Sequence, residues 1–242
     1  MNSDNERAFY GVVLALVVLV AITYAQDHLR NGSDAVSHWY HQAVAVVTHQ
    51  NHPDVGQARK MLNRDLTVKP EESLKAHGSV PAYSRDQFGP AWYDADHNGC
   101  DTRNDILARD LADVARTGSC IVLRGTLHDP YTGQTISFVR GASTSSAVQI
   151  DHRVPLAEAW QSGADHWTLA KRRDFANDQQ NLLAVSGPEN ERKGDKDPAQ
   201  YLPPDNDYDC TYVRDYIAVK VKWDLTVDTA EYTALSRVLA AC

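Results

Sequence analysis

The longest apolar pattern in the chain is "AFYGVVLALVVLVAITYA", residues 8–25, which runs without a charge. As a helix it would extend about 27 Å at about 1.5 Å per residue, close to the thickness of a bilayer core. Residues 1–26 are therefore expected to form a transmembrane anchor or a signal sequence. "TYA" before Gln26 offers a cleavage site, whereas Asp4 and Glu6 set against Arg7 favour an uncleaved anchor. Val36, Trp39, Tyr40, Ala43, Val44 and Val47 then recur at helical spacing, and a polar tract punctuated by proline and glycine follows. This pattern predicts a helical stalk and linker over 27–81.

From Tyr83 the texture changes, and a domain is expected over 82–242. Ile106, Leu107 and Leu111 mark one side of an amphipathic helix. "CIVLRGTLHD" and "QTISFVRG", joined by "PYTG", read as a hairpin, and "SSAVQIDHRVPL" as a further strand. "LAEAW" and "WTLAKRRDFAND" look helical, "NLLAVSG" reads as a short strand and turn, and "ENERKGD" starts a helix. Residues 211–222 and 229–240 are helical by pattern. Strands grouped and helices following give an α+β order.

Composition narrows the function classes. A chain of 242 residues with 43% hydrophobic content can bury one sizeable core. Its net charge of −8 argues against broad adhesion to nucleic acid or anionic lipid, so any phosphate chemistry must be local. Cys100, Cys120, Cys210 and Cys242 have no C-x-x-C spacing, which disfavours a zinc knuckle and favours two disulfides outside the cytoplasm. An antiparallel pair formed by the last two helices would bring Cys210 to Cys242. Cys100–Cys120 requires the intervening helix to end near Leu111 and the chain to double back. Five of the ten histidines fall between 28 and 52, and they read as solvated stalk residues rather than a metal site.

Candidate chemistry begins at "VQIDHRVPLAEAW", residues 148–160. Alone, Asp151-His152 would be an ordinary polar pair at a strand end. Further on stand Pro155, Gly163, Asn181-Leu182, Asn190 nine residues after Asn181, and Lys193. Phosphodiester hydrolysis needs a base for water and positive charge on the phosphate. His152 titrates near neutrality and can serve as general base. On an extended backbone Asp151 points the other way and can hold a metal, with Asn190 giving a second oxygen. A carboxylate with an amide oxygen suits Mg²⁺ or Mn²⁺ better than Zn²⁺.

This ordered set, "DHRVP…G…NLLAVSGPENERK", resembles the HNH endonuclease motif, which implies a ββα-metal core with an added β-hairpin and flanking helices, braced by disulfides. "YSRDQFG", "NGCDTRNDIL", "DPYTG" and the closing cysteine pair are similar to one branch, the C-terminal domain of GmrSD restriction endonucleases found in secreted bacterial proteins. The resemblance implies a metal-dependent endonuclease acting mainly on DNA, with Asn181 tying down the loop that carries His152. Lys193 is either a phosphate contact or a solvated helix lysine. Arg172 and Arg173 are either part of a groove along the nucleic-acid backbone or the outer face of a helix.

Asp94, Asp96, Asn98 and Asp105 stand at positions 1, 3, 5 and 12 of an EF-like loop and are either a Ca²⁺ site or a capped turn. The expected protein is a membrane-anchored or secreted nuclease with its catalytic domain outside the cytoplasm and no obligate protein partner. The alternatives are a non-catalytic, metal-braced binding module, or a hydrolase of another phosphodiester.

Overall fold

The computed structural model describes residues 52–70 and 82–242. At its centre two strands pair antiparallel: β5 (Val148–His152) and β6 (Leu182–Ser186), with Val148 opposite Ser186 and His152 opposite Leu182. Helix α5 (Gly187–Lys193) follows β6 directly and packs against β5, completing a ββα unit. All five residues of β6 are buried because both of its faces are covered. Leu182 and Ala184 join one apolar cluster, while Leu183 and Val185 join the other. The period-2 alternation of a strand thus serves two cores.

The first cluster lies under a three-stranded sheet in the order β2 (Ala112–Thr117), β3 (Ile121–His128), β4 (Thr135–Val139). Val122, Leu127 and Phe138 are fully or almost fully buried there, with Ile106 and Leu107 from α2 (Thr102–Asp110) and with Val148 and Ile150 from β5. The hairpin β3–β4 lies where the sequence pattern puts it. Strand β2 does not show in the pattern, because Asp113 takes a left-handed φ of 51° and the pairing with β3 shifts register after Ala112, which erases the alternation. Helix α2 ends before Leu111, the chain doubles back, and Cys100 joins Cys120 in a disulfide.

The second cluster is built around α6 (Asp209–Lys222), which buries Tyr212, Val213, Tyr216, Ile217 and Val219. Helix α7 (Thr229–Ala241) packs along it, and Cys210 is bonded to Cys242. Also bearing on this core are α3 (Leu156–Gln161) and α4 (Leu169–Ala176), which lie between β5 and β6 in the chain. The fold is α+β, with small sheets, seven α-helices among the described residues and two disulfides.

Residues 52–70 depart from the expected stalk and linker. Helix α1 (Val55–Lys60) runs on as a π-helical turn (Met61–Asp65), and β1 (Val68–Lys69) pairs parallel with β7 (Val227–Asp228). Ala58, Leu62 and Leu66 are buried in the α6 core, and His52 pairs with Asp215 on α6. With Val55 and Met61, which pack against the same core, these residues make one apolar face, but over a charged stretch too short to register as an amphipathic helix. The rest of the expected stalk and the run at 8–25 lie outside the described residues. Among the described residues no helix is long and apolar enough to cross a membrane.

Candidate active site

The ββα unit places His152 at the end of β5 and Asn190 within α5. Gly187 makes the junction possible: a Cβ there would sit 2.0 Å from the Ser146 carbonyl oxygen, so only glycine lets α5 approach the start of β5 this closely. Asn190 Nδ2 donates to Gln149 Oε1 at 2.8 Å, which leaves its Oδ1 as the oxygen a cation could use. A cavity of about 300 Å³ opens over these residues, lined by Arg85, Asp151, His152, Asn190, Gly194 and Asp195.

His152 Nε2 lies 2.9 Å from the Ala176 carbonyl oxygen. A carbonyl only accepts, so Nε2 carries the proton and Nδ1 keeps the lone pair. Burial pushes the imidazole down to about 3; the Ala176 hydrogen bond opposes this, and the positive charges of Arg85 and Lys193 add to it. The ring is therefore neutral at working pH, and its titration does not fall near neutrality as the sequence pattern led one to expect, because the folded chain buries it.

Asp151 is almost fully buried and is held from two sides. Tyr131 Oη donates to Oδ2 at 2.6 Å, and Lys193 Nζ donates to Oδ1 at 2.9 Å. Lys193 also donates to the His152 carbonyl at 2.8 Å. Desolvation lowers the Lys193 pKa, while Asp151 pulls it back up. Tyr131 is pushed well above its ordinary value by burial first and the Asp151 charge second, so it stays a donor.

Asn181 is fully buried, and its amide clamps one residue: Oδ1 accepts from Val154 N at 2.9 Å, and Nδ2 donates to Val154 O at 3.3 Å. Its own carbonyl accepts from Arg153 N at 2.7 Å. Arg153, beside His152, is buried under the same loop, donating to the carbonyls of Gln180 and Leu182 and pairing with Asp215 at 3.3 Å. The chain after His152 is thus fixed to the chain before β6.

The cations expected at phosphate are engaged within the fold instead. Lys193 is fully enclosed and directed at Asp151. Arg172 donates to the carbonyls of Gln87 and Trp167, both at 2.7 Å, and stacks over Trp160. Arg173 lies 4.1 Å from the centre of the Tyr93 ring and beside Asp174. In the 94–105 loop, the Asn98 side-chain amide donates to Asp96 and Asp105, and Asp94 accepts from the backbone of Asn98 and Gly99. Among the described residues no group of three or more His, Cys, Asp or Glu side chains is arranged to hold a metal ion.

A metal held mainly by solvent and substrate still fits the donor set. Asp151 and Asn190 offer one anionic and one neutral oxygen at the same pocket, both hard ligands, and each Asp151 oxygen has a lone pair beyond its present hydrogen bond. Tyr131, Arg85, Arg153 and Gly187 also shape the site, and no sequence motif marks them as functional. The "DPYTG" turn held the first in plain sight: Asp129 fastens that turn to the Ser186 N–H at 3.1 Å, and this sends Tyr131 to Asp151.

A family described as GmrSD restriction endonucleases, C-terminal domain, matches residues 101–238. The chain belongs to this family. An uncharacterized secreted protein of Arthroderma benhamiae is 41% identical over 199 residues, covering 81% of this chain and 90% of that protein. No solved structure matches. The GmrSD C-terminal family is nuclease-related. The relative, a secreted protein, corrects the expected transmembrane helix and membrane attachment; the run at 8–25 itself lies outside the described residues.

Proposed function

We propose that this GmrSD-family domain is a metal-dependent endonuclease of HNH type that hydrolyses phosphodiester bonds, mainly in DNA, with His152 as general base. The observation that carries this reading is the His152 Nε2–H hydrogen bond to the Ala176 carbonyl, which presents a neutral imidazole with Nδ1 as its basic nitrogen beside Asp151 and Asn190. Nδ1 takes the proton of the attacking water; burial alone disfavours the imidazolium that results, and the Ala176 carbonyl and the anionic phosphate of the bound substrate together offset that cost. Asn181 holds the Val154 loop, so the imidazole does not swing as it charges. Tyr131 and Lys193 orient the Asp151 carboxylate. Asp151 and Asn190 would hold Mg²⁺ or Mn²⁺, which when bound supplies positive charge to the phosphate and the departing oxygen.

The same reading places the protein outside the cell, supported by two disulfides that use all four cysteines and by the secreted relative. The test is cleavage of plasmid DNA, with RNA alongside, by the oxidised full chain in Mg²⁺ and in Mn²⁺. His152→Ala should lower the rate by about 10²- to 10⁴-fold while leaving the melting profile intact. Failure of the wild type to cleave with either metal, or cleavage undiminished in His152→Ala, would sink the reading.

A further inference from the structure

With Lys193, Arg172 and Arg173 engaged in the fold, one guanidinium on the pocket wall stands apart. Arg85 is exposed, lines the same cavity as His152, Asp151 and Asn190, and forms no ion pair with a carboxylate among the described residues. We propose that Arg85 is the cation that grips the nucleic-acid phosphate at this pocket, a role that rests on the nuclease reading above.

The local structure presents Arg85 from a fixed mount. It opens a 3₁₀ turn, Arg85–Phe88, whose start is closed by Ser84 N donating to Gln87 Oε1 at 2.8 Å. Phe88 at the other end is fully buried, with Trp160 and Phe175 each 6.2 Å away between ring centres. The chain leaves the turn through Gly89, whose φ of 77° is left-handed. Arg172 donates to the Gln87 carbonyl, so an arginine expected at phosphate instead secures the turn that carries another.

The chemistry suits a phosphodiester. A guanidinium offers paired donors to two phosphate oxygens, stays charged at any working pH, and is weakly hydrated enough to give up water for that contact. Arg85 and His152 line the same cavity, so a phosphate held by the guanidinium lies beside the reacting centre. In a chain of net charge −8, an unneutralised cation facing the site weighs more than it would on a basic surface.

The test measures binding of a fluorescent DNA oligonucleotide to the full chain in the His152→Ala background, with Mg²⁺, across a salt series. Adding Arg85→Ala should weaken binding about tenfold and reduce the slope of log affinity against log salt by about 0.9, the share of one phosphate contact. Arg85→Lys should retain the slope, and Arg116→Ala, an exposed arginine on β2, should leave both readouts unchanged. If the wild type cleaves DNA while Arg85→Ala alters neither affinity nor slope, this proposal falls and the nuclease reading stands. If the wild type neither binds nor cleaves, both fall.

Discussion

Lys193, in the last turn of α5, donates a 2.9 Å hydrogen bond to Asp151 on β5; Lys193 is fully buried and Asp151 shows only its edge to the cavity. A buried carboxylate left without its cation is costly, about 3–5 kcal/mol. Lys193→Met should therefore destabilise the metal-free protein by about 3 kcal/mol. Because a divalent ion at Asp151 would replace the lost charge, Mn²⁺ should raise the melting temperature of the variant more than that of the wild type. Thermal melts with and without Mn²⁺ check this; equal metal shifts in the two proteins would count against Asp151 as a ligand.

Tyr131 gives Asp151 its second hydrogen bond from inside an aromatic cluster with Tyr201, Tyr208 and Tyr212. Tyr131→Phe keeps the packing and removes only the donor. Hydrogen bonds to charged groups contribute about 1.5–3 kcal/mol, so denaturant unfolding should show a loss of about 2 kcal/mol. An unchanged midpoint would mean that the hydroxyl is idle.

Gly187→Ala tests the close approach of α5 to the start of β5. The new methyl would collide with the Ser146 carbonyl, a backbone atom that cannot rotate away. Overpacking of this kind costs about 1–3 kcal/mol, and the helix carrying Asn190 must shift to relieve it. Activity should fall more than stability does, which a paired comparison of cleavage rate and melting temperature would reveal.

Lys220 is fully buried between Glu158 and Glu231, at 2.6 and 2.9 Å. Burial raises Glu231 from its ordinary 4.5 to about 7, with Lys220 pulling the other way. The folded state then holds this proton more tightly than the unfolded chain. The contribution to stability is greatest below about pH 4.5 and is lost as pH rises from there to about 7. Glu231→Gln, which cannot titrate, should flatten the melting temperature across that window. An equally steep profile in the variant would assign the dependence to other groups.

Leu62→Ala asks whether the segment before residue 71 belongs to the folding unit. Leu62 is 2% exposed, and truncating a buried leucine costs about 2–5 kcal/mol. An exposed stalk residue would change stability by a few tenths at most, so urea unfolding separates the two cases.

How much of this could be read from the sequence depended on how local each signal was. The hairpin and the β5–β6–α5 order were legible because each element is written in its own short continuous stretch of the chain. The Cys210–Cys242 pairing followed from two helices close in sequence. Strand β2 was hidden by the left-handed Asp113, and α1 by a short apolar face that makes sense only against α6. The fates of Arg172 and Arg173 depended on which carbonyls and rings lay within reach, and this is a property of the packed chain. Tyr131 was visible only as part of a turn, since its partner Asp151 lies twenty residues on.

The two faces of β6 carry a further consequence. Since Leu182 and Ala184 anchor one core while Leu183 and Val185 anchor the other, neither half of the domain can open without loosening the strand that leads into α5 and Asn190. The site is built on a shared wall, so partial unfolding and loss of the pocket become the same event. A protein released among proteases would then lose its chemistry as soon as it became cleavable, and no half-open form would remain to act.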